Sequence, residues 1–346
     1  ENTLEGFLAI KLDITDIIES KNKIESLAYY DQLTGLPNRF KFHDMLAKSI
    51  ENAKVHSKQL ILLIVDLDNF KDINDTLGHP IGDALLCIVA SKLQDILENS
   101  AYIARIGGDE FGVVIETPHC ETMLNAICRK TINMLKAPIL IDNYSLVTSV
   151  SMGVSIYPNN ALSVIDLIKA ADNALNSSKK KEKGKYLFFT NELLEVIQNR
   201  LDIKNELLNA IEKNEFTLVF QPQYTLTTQE VTGVETLIRW HSQKFGTLSP
   251  DIFIPIAEES GLIIPIGEWI LKEACKAFIS WKQEGIHIET IAINISSIQF
   301  QQENFLDCLC AIIQDVGINA QNIELEITER YLFECTKHNM SLLQQL

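Results

Sequence analysis

Four acidic residues in two short stretches are the first candidates for chemistry. The stretch RIGGDEFGVVI, residues 105–115, places Gly107, Gly108, Asp109 and Glu110 at what reads as a hairpin turn, because residues 103–106 and 111–115 are apolar and β-branched. Glycines there permit positive φ and let a ligand approach the backbone. Upstream, Leu60–Val65 is apolar on both faces, as a central buried strand must be, and it ends in Asp66 and Asp68, which share a face by the two-residue period. A carboxylate at the end of a buried strand invites a metal. If the hairpin packs beside that strand, Asp66 and Asp109 converge on one or two Mg²⁺ ions able to grip a triphosphate. Taken alone, GGDE reads better as an ordinary hairpin with a solvated tip. Its neighbour NDTLGHPIGD supplies Asn74, His79 and Asp83 around a glycine- and proline-punctuated loop that opens the helix GDALLCIVASKL. These groups can donate to and accept from a purine and its ribose; helix capping by Asp83 and a buried hydrogen bond at His79 are the plainer alternatives.

The elements that must hold these groups follow from pattern. At 346 residues, 46% hydrophobic and 22% charged, the chain has room for two globular domains and no disorder signature. A net charge of −16 disfavours non-specific attraction to nucleic acid or anionic membrane, so a phosphate-bearing ligand needs local lysines or metal ions. Among seven cysteines the one close pair, Cys308 and Cys310, lacks the second pair or histidines of a zinc site, and the set reads as reduced core thiols of a cytoplasmic protein. No apolar run reaches the ~18 residues that span a bilayer, and no signal peptide opens the chain, which leaves a membrane anchor further upstream open. The opening GFLAIKLDIT alternates like the last strand of a preceding domain, a tail over residues 1–13. Residues 14–30 then carry Ile14, Ile17, Ile18, Ile24, Leu27 and Ala28 at helical spacing, as a connector. A long α/β segment runs to Phe189, and its lysine-rich end SSKKKEKGK reads equally as a solvated helix end or a phosphate contact. A linker helix over 190–206 leads to strands FTLVFQP, TGVETLIRW, IAINIS and IELEIT alternating with helical patterns, the rhythm of a barrel that stops after four strands.

The motifs DQLTGLPNRF, VDLDNFKDINDTLGHPIGD, ARIGGDEF, SVSMGVSIYP and ADNALNSSK occur in order, and residues 27–189 resemble the GGDEF family of diguanylate cyclases, which condense two GTP into cyclic di-GMP. The resemblance implies an α+β domain with a ferredoxin-like, palm-type antiparallel central sheet and flanking helices. It implies Mg²⁺ (or Mn²⁺) ligands at Asp66, the Leu67 carbonyl and Asp109, with Asp109 also the base for the ribose 3′-hydroxyl and Glu110 in catalytic support. Asn74, His79 and Asp83 match guanine- and nucleotide-binding positions. Lys179 and Lys183 stand where the family places a phosphate-binding lysine and arginine. Lysine lacks arginine's fork, so a weaker grip is expected. Each such domain holds one GTP and two must meet, so a homodimer is expected, aligned by the helix at 14–30. Glu98–Ala101 stands in place of the RxxD motif of product-inhibited members, and no feedback inhibition is expected there. The strand and helix at the start resemble the end of a PAS-type sensor.

Residues 207–346 resemble the N-terminal part of the EAL family of cyclic di-GMP phosphodiesterases, a modified TIM barrel, through FQPQYTL, GVETLIRW, LSPDIFIPIAEESGLIIPIGEWIL, AINISSIQF and IELEITER. This implies metal ligands at Glu235, which is also the catalytic carboxylate, Asn294 and Glu326, an oxygen-rich set suited to Mg²⁺ or Mn²⁺. Gln221 and Arg239 match substrate contacts, and Glu329 matches a loop-stabilising glutamate. All three ligands are expected at C-terminal strand ends, where a barrel does its chemistry. The signature reads ETL, a change at Thr236 that leaves Glu235 and Arg239 untouched. The family's later paired aspartates, lysine and glutamate are not found before Leu346, so this half-barrel is expected neither to close nor to hydrolyse. The leading reading is a signalling enzyme that makes cyclic di-GMP from GTP, with no nucleic-acid partner and no membrane segment. A phosphodiesterase regulated by a GTP-binding first domain and a non-catalytic nucleotide receptor are the alternatives.

Overall fold

The computed structural model describes residues 15–97, 101–116, 121–227 and 229–327. The expected tail at 1–13, residues 98–100 of the RxxD window and Glu329 lie outside the described residues. The chain divides into two compact units, Glu1–Glu195 and Val196–Leu346.

In the first unit, helix α1 (Thr15–Tyr29) precedes α2 (Arg39–Val55), β1 (Leu60–Leu67), α3 (Phe70–Leu77), α4 (His79–Leu97), β2 (Ala101–Gly107), β3 (Glu110–Ile115), α5 (Glu121–Lys136), the short hairpin β4 (Ile139–Ile141) and β5 (Tyr144–Leu146), β6 (Val150–Tyr157), α6 (Val164–Lys181) and β7 (Tyr186–Phe188). Five strands form one sheet in the order β2-β3-β1-β6-β7, antiparallel except for β6 with β7. All eight residues of β1 are buried. Their alternation splits them between two cores. Ile61, Leu63, Val65 and Leu67 join Leu85, Val89, Leu124 and Ile132 of α4 and α5 on one face. Leu60, Leu62 and Ile64 join Phe42, Leu46, Leu167 and Leu175 of α2 and α6 on the other. Small residues on β6 let α6 approach closely: Ser155 Oγ donates to the Leu167 carbonyl at 2.8 Å, and a Cβ on Gly153 would stand 1.9 Å from the Ala171 carbonyl oxygen. On α1, the expected apolar positions Ile24 and Leu27 are 68% and 57% exposed.

Helix α7 (Asn191–Leu207) contains the division between the units, and its part in the second unit buries Ile203 and Leu207. It is followed by β8 (Phe216–Tyr224), β9 (Val231–Ser242), β10 (Gly246–Leu248), α8 (Pro250–Ser260), α9 (Ile263–Gln283), β11 (Thr290–Ile295), α10 (Ser297–Phe300), α11 (Phe305–Val316) and β12 (Ile323–Ile327). The sheet runs β10-β9-β11-β12 with β8 also on β9; β9, β11 and β12 are mutually parallel, while β8 and β10 are antiparallel to β9. Even-numbered β9 residues Val234, Ile238 and Trp240 are buried in one core with α8, α9 and α11. Trp240 Nε1 donates to Glu215 at 3.0 Å, which places a satisfied carboxylate in that core. Among the described residues the sheet stays open, with no closed barrel.

Candidate functional site

The end of β1 gathers charge. The β1–β3 register sets Asp66 opposite Glu110, and the Leu67 amide donates to the Asp109 carbonyl at 3.4 Å, so the Asp66–Leu67 and Asp109–Glu110 pairs lie side by side. From the last turn of α6, Lys179 Nζ reaches within 2.6 Å of Asp66 Oδ1, an ion pair without a well-aligned hydrogen bond. Burial pushes Asp66 up to about 6; Lys179 opposes the shift and the charges of Asp109 and Glu110 add to it. Glu110 is raised by burial, then by Asp172 and Asp109, and Asp172 is raised by burial against the pull of Arg39. Asp109 in the turn thus bears on both Asp66 and Glu110, and Asp172 of α6 on Glu110, and a divalent cation relieves that crowding of like charge better than one ammonium. Among the described residues no three acidic, histidine or cysteine side chains form a preformed cage. The expected set of two carboxylates and one carbonyl does not need one, because Mg²⁺ is held by few carboxylates plus substrate phosphates. The oxygen donors present fit such an ion.

The two glycines are only partly explained by the protein itself. Gly108 has φ +26, and neither glycine would bring a Cβ closer than 3.7 Å to any neighbour. The space above the turn is open, as close approach of a ligand requires. The turn is held from below by Arg105, whose Nε and Nη2 donate to the Gly108 carbonyl at 3.0 and 2.8 Å and whose Nη1 bonds both oxygens of Asp31 at 3.0 and 3.1 Å. Asp31, just past α1, also accepts from the Thr34 amide and hydroxyl.

Asn74, His79 and Asp83 do not lie on a loop. Asn74 is in α3, His79 and Asp83 are in α4, and only Gly78, at φ +89, separates the two helices. The glycine and proline that suggested a loop instead make a one-residue corner followed by a proline at the second helical position, which α-helices tolerate. Asn74 Oδ1 is buried without a hydrogen-bond partner in the space left by Gly82, where a Cβ would come within 1.9 Å of it. His79 and Asp83 are exposed. Lys183 Nζ donates to Asn69 Oδ1 at 2.7 Å, so Lys179 and Lys183 both turn towards the end of β1 and are not merely a solvated helix end.

In the second unit, Asn294 Nδ2 donates to Glu235 Oε1 at 2.9 Å, and the β11–β12 register pairs Asn294 with Glu326. Glu326 is raised by burial, then by Glu235 and Glu324. Asn294 and Glu326 are the penultimate residues of their strands, but Glu235 lies in the middle of β9. The reason is that β9 continues past its parallel pairing with β11, which ends at Thr236, into a hairpin with β10. Gln221 stands opposite Glu235 on β8, and Arg239 opposite Thr217. A pocket of about 490 Å³ is lined by Arg239, Asp251, Glu258, Asn294, Gln299 and Thr236. Thr236 itself is 4% exposed, and its hydroxyl has no hydrogen-bond partner.

The sequence alone assigned no role to Asp31, Arg39, Arg105 or Asp172. The signal for Asp31 and Arg105 was present as a charged residue in DQLTG and another two residues before the paired glycines.

With the geometry described, comparison with known proteins is direct. The family model "Diguanylate cyclase, GGDEF domain" matches residues 28–185 and the model "EAL domain" matches residues 204–346. "Signaling protein YkoW" of Bacillus subtilis is 34% identical over 344 residues, covering 99% of this chain and 43% of that protein. "Bifunctional diguanylate cyclase/cyclic di-GMP phosphodiesterase MucR" of Pseudomonas aeruginosa is 31% identical over 332 residues, covering 96% of this chain and 48% of that protein. The chain thus spans less than half the length of both relatives. The solved S helix-GGDEF-EAL structure of Vibrio cholerae LapD, bound to c-di-GMP, aligns with a TM-score of 0.59 over 95% of this chain and 76% of that one at 18% identity, a likeness of fold. Two domain models in tandem, found again in relatives aligned across nearly the whole chain, make this chain a member of the GGDEF–EAL family of signalling proteins.

Proposed function

We propose that the chain turns over cyclic di-GMP and that its first unit makes it from GTP. The observation that carries this reading is the gathering of Asp66, Asp109 and Glu110 at the end of β1, with Lys179 2.6 Å from Asp66. GGDEF and EAL domains depend on divalent metal, and Mg²⁺ or Mn²⁺ held by Asp66, the Leu67 carbonyl and Asp109 would neutralise triphosphate charge. Asn74, His79 and Asp83 take the guanine and the rest of the nucleoside, and Lys179 and Lys183 turn to the phosphates. Asp109 takes the proton of the ribose 3′-hydroxyl of the facing GTP, whose oxygen bonds to the α-phosphorus as pyrophosphate leaves. Two such steps between two facing copies give cyclic di-GMP and two pyrophosphates. The exposed Ile24 and Leu27 of α1 suit a helix that pairs with its counterpart in that second copy.

The test is incubation of the purified chain with GTP and Mg²⁺, followed by chromatography, with Asp109→Asn as control. Cyclic di-GMP from the parent, and at least ~100-fold less from the variant, is expected for loss of a proton acceptor. GTP binding without pyrophosphate release would sink the reading and leave a nucleotide receptor. The Asn294–Glu235 contact beside Glu326 favours a second reading in which the whole protein hydrolyses cyclic di-GMP. There Glu235→Gln in the full-length protein should abolish hydrolysis while GTP binding persists.

A further inference from the structure

Asp68 takes no part in the scheme above, yet it is 3% exposed and sits one residue beyond β1. Its Oδ1 accepts from Ser151 Oγ at 2.7 Å. Its Oδ2 accepts from Ser149 Oγ at 2.5 Å and from the Gly184 amide at 2.9 Å. Three donors from two separate segments converge on one carboxylate, which suits an acceptor-only group and leaves it little capacity for a metal ion. Gly184, at φ +74, belongs to the loop between α6 and β7. On one side of it Lys183 Nζ reaches Asn69 Oδ1, and on the other the Lys185 carbonyl accepts from the Met152 amide at 2.9 Å. The lysine-bearing loop is therefore fastened at three successive residues, Lys183 to Asn69 and Gly184 to Asp68 just beyond β1 and Lys185 to Met152 of β6, and Asp68 makes the central, fully buried fastening.

We propose that Asp68 is a positioning residue for triphosphate binding: it fixes the Lys183–Gly184 turn, and through it the end of α6 that carries Lys179, relative to Asp66. The proposal rests on the reading of the first unit as a GTP site. The energetic reason is that Lys183 has no bidentate fork to correct a misplaced backbone, so its reach depends on where the loop is held. A carboxylate answering an amide and two hydroxyls is a charge-assisted set and holds the loop more tightly than a neutral one.

The test is the affinity of the full chain, with Mg²⁺, for guanosine 5′-[α,β-methylene]triphosphate, which cannot release pyrophosphate, and for GMP, which lacks the phosphates that the lysines reach. Asp68→Ala is expected to weaken the triphosphate analogue about tenfold, as loss of one hydrogen bond to a charged group would, and to leave GMP unchanged. Asp68→Asn is expected to recover most of the loss, because its carbonyl can still receive the Gly184 amide while Ser151 accepts from its NH₂. Amide exchange of residues 182–186 in the nucleotide-free chain is expected to quicken in Asp68→Ala. If that variant does not fold, the Ser149→Ala/Ser151→Ala pair is read the same way. Equal losses for both ligands, or none for the analogue, overturn the proposal while the parent still binds. A parent that binds neither ligand overturns the GTP reading and the proposal with it.

Discussion

Asp31 supports the glycine turn from a distance, through Arg105. Burial works against its ionisation, but bonds from the Thr34 hydroxyl and amide and from the Arg105 guanidinium outweigh burial and hold it below its ordinary value of 3.8. A carboxylate depressed in this way adds stability that is fully present above the ordinary value and is lost as pH falls through the folded one. Asp31→Ala should therefore lower the first unit's melting temperature at pH 7 by about 2–4 °C, the effect of about 1 kcal/mol from a partly solvated bidentate pair. The difference from the parent should shrink as the pH drops below 3.8; a constant difference across pH would show that packing, not charge, is what was lost. Individual carboxylates at strand ends were legible because a charge closing an apolar run has few structural explanations. The Asp31–Arg105 pair was not, since its members lie 74 residues apart and nothing local marks their meeting. The partners of Asp68 were hidden for the same reason: the serines and the glycine amide that claim it come from other segments.

Elements were easier to read than contacts. The hairpin expected over 103–115 and the buried strand β1 stand where apolar, β-branched flanks and a run apolar on both faces put them, because both patterns depend only on burial. The corner between α3 and α4 was harder, since a glycine–histidine–proline sequence serves a loop and a helix start equally well. Close packing of β6 on α6 was invisible in sequence, as Gly153 fits a strand for several reasons. In the structure its missing Cβ leaves room for the Ala171 carbonyl and for Leu175. Gly153→Ala should force α6 away from the sheet and destabilise the first unit by about 1–3 kcal/mol, the range of core overpacking. Because α6 carries Lys179, triphosphate affinity should fall together with the midpoint of urea unfolding. A variant as stable as the parent would show that α6 can shift freely.

At the scale of the whole molecule, every described buried cluster lies within one of the two compact units. Compact units are the usual units of cooperative unfolding, so calorimetry should resolve two transitions, and Gly153→Ala should move only one. A single transition moved by that variant would mean that the units melt as one. The raised carboxylates at the end of β1 bear on stability as well. Asp66 and Glu110 carry their charges against the burial that surrounds them, so in the metal-free chain Glu110→Gln should raise the first unit's melting temperature at pH 7. Asp66→Asn should raise it less, because it also strips Lys179 of its partner; equal gains would show that the ion pair adds nothing to the fold.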